Sequence, residues 1–135
     1  MASKIYLENL TTIEVFAATS ISTTVNSGTP VVVDRTTDGG TENAIGCPEV
    51  VLFANVTVAP AAATALNAYV EWSFDGTNYS TSEYCCTCPV ALGATGYHLI
   101  GPVMMMAPYA KFYLIAPNAT LTAALYASPA YYEGQ

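Results

Sequence analysis

The stretch "YVEWSFDGTNYS", Tyr69 to Ser80, decides the fold. From Ala68 to Phe74, Val70, Trp72 and Phe74 fall on one side of an extended chain, and Tyr69, Glu71 and Ser73 on the other. That two-residue period belongs to a strand with one buried and one wetter face. Asp75-Gly76 tolerates positive φ and suits a tight hairpin turn, so Tyr79 to Tyr84 is expected to run back as the partner strand. Asp75, Gly76 and Asn78 also read as part of a calcium loop, but the further acidic positions and the closing Glu of such a loop are missing.

Outward from this hairpin, strand signals run along the whole chain. Thr12 to Ala18 alternates with Ile13, Val15 and Ala17 on one face, and Val31 to Val33 is a short apolar run after Pro30. Glu49 to Val58 places Val50, Leu52, Ala54, Val56 and Val58 together. Tyr97 to Ile100 and Val103 to Met106 are two pieces divided by Gly101-Pro102. Tyr109 to Ala116 turns Phe112 and Leu114 inward and Tyr109, Lys111 and Tyr113 outward, while Thr120 to Ala127 aligns Leu121, Ala123 and Leu125. Pro117-Asn118 marks a turn that would pair these last two as a hairpin. Pro60 to Ala68 is either a short helix or an Ala/Thr-rich loop, and residues 34–46 and 86–96 read as surface loops. About eight short antiparallel strands separated by turns specify an all-β fold, a β-sandwich or jelly roll. It forms a single domain over residues 1–135, with possible extended arms at residues 1–10 and 128–135.

Composition narrows the function. Charged residues make up 10% of the chain, against about 25% in soluble domains generally. Hydrophobic residues make up 53% and mean hydropathy is positive. A domain of this length leaves much of its surface outside its own core, so the apolar excess calls for a membrane or for neighbouring subunits. The longest weakly polar run, residues 90–110, is interrupted by Pro102 and Pro108, which disfavours a membrane span. The N-terminus lacks the apolar segment of a signal peptide, and no secretion signal is expected. Only Lys4, Arg35 and Lys111 are basic and the net charge is −7, which argues against nucleic acid.

Catalytic constellations are lacking. His98 is the one histidine and has no accompanying motif, so a structural role is expected. No spacing selects a carboxylate pair, and Gly39-Gly40 is a loop marker, not a phosphate loop. Neither an enzyme nor a cofactor is expected. Cys47, Cys85, Cys86 and Cys88 admit three readings: free or buried thiols, a disulfide from Cys47 to one of the others, or a four-thiolate zinc site. Adjacent cysteines on a regular strand face opposite ways, which counts against zinc. Sequons at Asn9, Asn55, Asn78 and Asn118 fit a Thr-rich β surface. Met104 and Met106 share one strand face and Met105 takes the other, a pattern for a strand covered on both sides by core or by another subunit. The ten tyrosines suit protein interfaces or sugar stacking.

"WSFDGTNYS" followed by "PYAKFYLIAPNATLTAALYASP" resembles the small β-sandwich structural proteins of tailed bacteriophages, with their S-x-DGT-x-aromatic hairpin and PY-x-aromatic strand. The resemblance spans residues 69–129 and is nearest to capsid decoration (cement) proteins. It implies a homo-oligomer, a trimer foremost, that sits on the capsid surface of a virion, binds the major capsid protein or other virion subunits, and is made in the host cytoplasm. The interface candidates are Met104, Met106, Tyr109, Tyr113, Tyr131 and Tyr132. Other expectations are a tail, neck, fibre or coat subunit, or a carbohydrate-binding module.

Overall fold

Alternate residues from Val50 to Val56 are buried, as are Leu66, Ala68 and Val70, then Ala110, Phe112 and Leu114, then Leu121, Ala123, Leu125 and Ala127. Four stretches that each bury one face must be covered by one another, and they form a core of two sheets. The computed structural model describes residues 5–6, 12–24, 30–34 and 49–132. Its strands are β1 (Ile5–Tyr6), β2 (Ile13–Ile21), β3 (Val33–Asp34), β4 (Glu49–Val58), β5 (Thr64–Ser73), β6 (Glu83–Val90), β7 (Gly96–Met104), β8 (Tyr109–Ile115) and β9 (Leu121–Tyr132). Among the described residues there is no helix, and so none long and apolar enough to cross a membrane.

The pairing is nested and antiparallel: β5 with β6, β4 with β7, β3 with β8, and β2 with β9. Wrapping that nest brings β4 beside β9 and β5 beside β8. The result is one sheet in the order β2-β9-β4-β7, with β1 pairing the far end of β9, and a second in the order β3-β8-β5-β6. This is the β-sandwich of jelly-roll type that the alternating pattern predicts. Backbone bonds stitch the layers at their rims: Val31 N–H to Val15 O at 2.7 Å, Ala116 N–H to Ser22 O at 2.9 Å and Gly93 N–H to Pro60 O at 3.1 Å.

Several local expectations are corrected. β8 and β9 do not pair; they lie in different sheets, and Pro117-Asn118 turns the chain across the sandwich, held by Asn118 N–H donating to buried Thr64 Oγ1 at 3.1 Å. Of the stretch Pro60 to Ala68, Thr64 to Ala68 are strand and not helix or loop, the start of the strand expected from Ala68 onward. The partner of β5 is Glu83–Val90 instead of Tyr79–Tyr84, so residues 86–90 of the expected loop are strand. Gly101-Pro102 does not divide β7, because Pro102 sits on an edge strand where its missing N–H costs no ladder bond.

Bulges account for the side chains found on the wrong face. In β2 an extra residue at Val15 buries both Val15 and Phe16 and leaves Ala17 exposed. An extra residue at Thr57 turns Val58 out, 58% exposed. In β7 the extra residue is Ile100, after which the buried set moves to Val103 and Met105. One additional residue against an unbroken partner shifts the two-residue period by one. At the end of β5, Ser73 is buried instead of Phe74, which is 79% exposed. Residues 128–132 of the expected C-terminal arm continue β9, and Ile5–Tyr6 of the N-terminal arm pair with it; the other arm residues lie outside the described residues.

Leu52 is fully buried and Val58 is not. Urea unfolding of Leu52→Ala should show a loss of about 2–5 kcal/mol. Val58→Ala should stay within about 0.5 kcal/mol. Equal losses would contradict the bulge at Thr57.

Candidate interaction surfaces

The loop after β5 is organised by one carboxylate. Asp75 Oδ1 accepts from the amides of Thr77 and Asn78, both at 2.8 Å, and from Ser73 Oγ at 3.0 Å; Oδ2 accepts from Asn78 Nδ2 at 2.8 Å. Gly76 has φ of 78° and lies against the Tyr109 ring, so a side chain there would be both strained and crowded. Ser80 N–H donates to Trp72 O at 2.8 Å and closes the loop, while Trp72 Nε1 donates to Glu83 at 2.7 Å. The carboxylate is therefore spent on its own turn, and among the described residues no group of three potential metal ligands converges.

The outer face of the β2-β9-β4-β7 sheet is apolar. One cross-strand row runs Leu99, Phe53, Tyr126, Glu14, and the next rows bring Tyr97 beside Asn55 and Pro102 beside Val51. Phe53 stacks on Tyr126 with centroids 5.2 Å apart and meets Tyr97 at 6.1 Å. Leu99 is 66% exposed, Tyr97 70%, and Met104 at the strand end 64%. Nothing in the chain's described part covers this face.

The opposite outer face, on β3-β8-β5-β6, is aromatic but polar. Tyr84, Tyr69 and Tyr113 form a row, with Glu71 opposite Lys111 alongside. Tyr69 and Tyr84 meet edge to face at 5.9 Å, and Lys111 Nζ lies 4.2 Å from the centre of the Tyr79 ring. Tyr113 donates to Glu71 at 2.9 Å; burial, then this carboxylate, push its phenol up to about 12.

The interface candidates separate accordingly. Met104 and Met106 are both exposed, the first on the apolar sheet, with Met105 buried between them. Tyr109 and Tyr113 lie on β8 in the other sheet, so the fold does not bring the methionines and tyrosines together. Tyr131 and Tyr132 pair through their backbones with β1, and their side chains lie outside the described residues. Tyr97, Leu99, Phe53 and Tyr126 were not singled out by sequence; only the pairing of β7, β4 and β9 collects them. His98 Nδ1–H donates to Gly96 O at 3.0 Å, a local bond within its strand. Cys85, Cys86 and Cys88 are free thiols on β6, and Cys47 lies outside the described residues. Among the described residues no cleft or enclosed cavity is found.

Comparison with known proteins finds no protein-family model, no curated protein and no solved structure that matches the chain.

Hydrogen bonds to the ionised form, first from the Asn78 amide and then from that of Thr77, hold Asp75 well below the usual carboxylate range. A depressed folded-state pKa contributes stability above the ordinary value of about 3.9 that is lost only as pH falls through the lowered one. The protection of the Thr77 and Asn78 amides, measured against the intrinsic exchange rate at each pH, should therefore persist at about pH 3. In Asp75→Ala the same amides should exchange at their intrinsic rates at every pH. Protection lost near the ordinary carboxylate value in the wild type would refute the clamp.

Proposed function

We propose that this chain is a virion structural protein, a capsid decoration protein that stabilises the shell by bridging its neighbouring subunits. The uncovered row of Leu99, Phe53 and Tyr126, extended by Tyr97, Pro102 and Met104, carries this reading. Contiguous apolar surface rich in aromatics marks a protein contact, and a sequence this poor in charge needs one. Jelly rolls recur in viral capsid proteins, and this fold agrees with such a role. The phage resemblance of residues 69–129 points the same way.

In this reading the apolar face packs between copies in a trimer, and the trimer binds the assembled shell. A clamp that binds only the assembled lattice draws the equilibrium toward it. The net charge of −7 keeps free subunits dispersed until a complementary surface is met. Light scattering should give a trimer for the wild type and a monomer for Leu99→Asp, with circular dichroism unchanged. Antibodies against the chain should label the outside of purified virions. A monomeric wild type, or virions free of the chain, would overturn the proposal.

A second reading, a carbohydrate-binding module, is favoured by the row of Tyr84, Tyr69 and Tyr113 flanked by Glu71 and Asn67. Flat rings beside hydrogen-bonding groups are the means by which proteins hold sugars. A glycan array separates the two: binding abolished by Tyr69→Ala supports the module, and silence removes it.

A further inference from the structure

Adjacent residues on a regular strand point to opposite faces, yet Cys85 Sγ and Cys86 Sγ lie 4.0 Å apart. The register explains this. Ala68 pairs with Cys86 and Tyr69 with Tyr84, which leaves Cys85 as the extra residue of a bulge in β6. A bulge re-aims side chains, and here it turns two neighbouring thiols toward one another. Both are half-buried and pack against the core at the edge where β6 runs beside β7.

The opposing strand leaves them room. Gly101 of β7 faces Cys86, and a Cβ there would lie 3.5 Å from Cys86 Cβ and 3.8 Å from its sulfur. Cys85 Sγ donates to Ala68 O at 3.3 Å, which fixes its rotamer, whereas Cys88 Sγ donates to Pro89 O at 3.4 Å. Two thiolates on one tetrahedral ion at about 2.3 Å sit about 3.8 Å apart. The observed separation of 4.0 Å is nearly that of a formed chelate.

We propose that Cys85 and Cys86 form a two-thiolate site for a soft, thiophilic cation at the β6–β7 edge. Oxygen-seeking ions such as calcium and magnesium are excluded by the donors. The remaining coordination positions face the half-open edge and are filled by solvent or by an added thiol. The site is independent of the virion reading.

Phenylarsine oxide is the probe. Its trivalent arsenic forms two As–S bonds, the As=O bond breaks, and the oxygen leaves as water with the two thiol protons; no electrons are exchanged. Intact mass spectrometry of the reduced full-length protein should show one adduct, and peptide mapping should place it on the segment holding Cys85 and Cys86. Cadmium added beforehand should block it. Cys85→Ser and Cys86→Ser should each abolish the adduct, whereas Cys47→Ser and Cys88→Ser should keep it. No adduct, mapping to another cysteine, failure of cadmium to compete, or an adduct that survives Cys85→Ser would overturn the proposal; the mapping needs no variant and holds even where a substitution disturbs folding.

Discussion

Four antiparallel pairs nested about the β5–β6 connection impose one condition on the chain: each strand must keep an apolar face for partners far away in sequence. Ile21 lies opposite Leu121 and Val33 opposite Ala110, so the outer pairs close long loops before any contact rewards them. The inner pair is local. Asp75 holds the loop between β5 and β6 with bonds from Ser73, Thr77 and Asn78, and Thr64 reaches across to hold the chain after β8. A fold of such high contact order depends on its local turns to limit the search, and here one carboxylate supplies most of the polar structure of the central turn.

The faces of β8, of β9 from Leu121 to Ala127 and of β4 as far as Val56 were legible because unbroken alternation needs no knowledge of partners. Phe112 and Leu114, or Leu121, Ala123 and Leu125, fall inward from period alone. Pairing was not legible. Pro117-Asn118 is a turn whether the next strand returns beside β8 or crosses to the other sheet, and only the nesting of the remaining pairs selects the crossing. Bulges were equally hidden. Val15-Phe16, Ile100-Gly101 and Cys85-Cys86 contain no residue that announces an extra position, since a bulge is a mismatch between two strands and not a property of either. For the same reason the sequence pointed to Met104 and the tyrosines of β8 as one surface, whereas the register assembles Leu99, Phe53 and Tyr126 from three strands.

The apolar excess divides between inside and outside in a specific way. Among the described residues the core uses small and medium side chains, mostly Ala, Val and Leu, with Phe112 the largest that is fully buried. Much of the chain's aromatic surface is therefore left for the outer faces. On one sheet the aromatic rings are tied to charge and hydroxyl groups, as in Tyr113 with Glu71 and Tyr79 with Lys111. On the other, Phe53 packs between Tyr97 and Tyr126, Leu99 lies bare, and Tyr126 is hydrogen-bonded to Glu14 at the end of the row. The two faces present different chemistry to a partner, and the second, with Leu99, Tyr97 and Met104 open to water, gains the more from exclusion of water.

Exposed apolar strands invite edge-to-edge aggregation, and the edges of this sandwich are arranged against it. β7 carries Pro102 and the bulge at Ile100; β6 carries Pro89 and the bulge at Cys85. The two irregular strands run beside each other, with Gly101 next to Cys86, so the distortions of one rim meet those of the other. At the opposite rim, Val31 and Ala116 donate their amides to β2 and to Ser22 just beyond it. These prolines and bulges disfavour an added strand, which favours the outer face as the route of association. Face packing is set by side-chain shape and is saturable, whereas edge pairing continues without limit. The proposed decoration role, which requires a closed assembly and not a fibre, is served by the first.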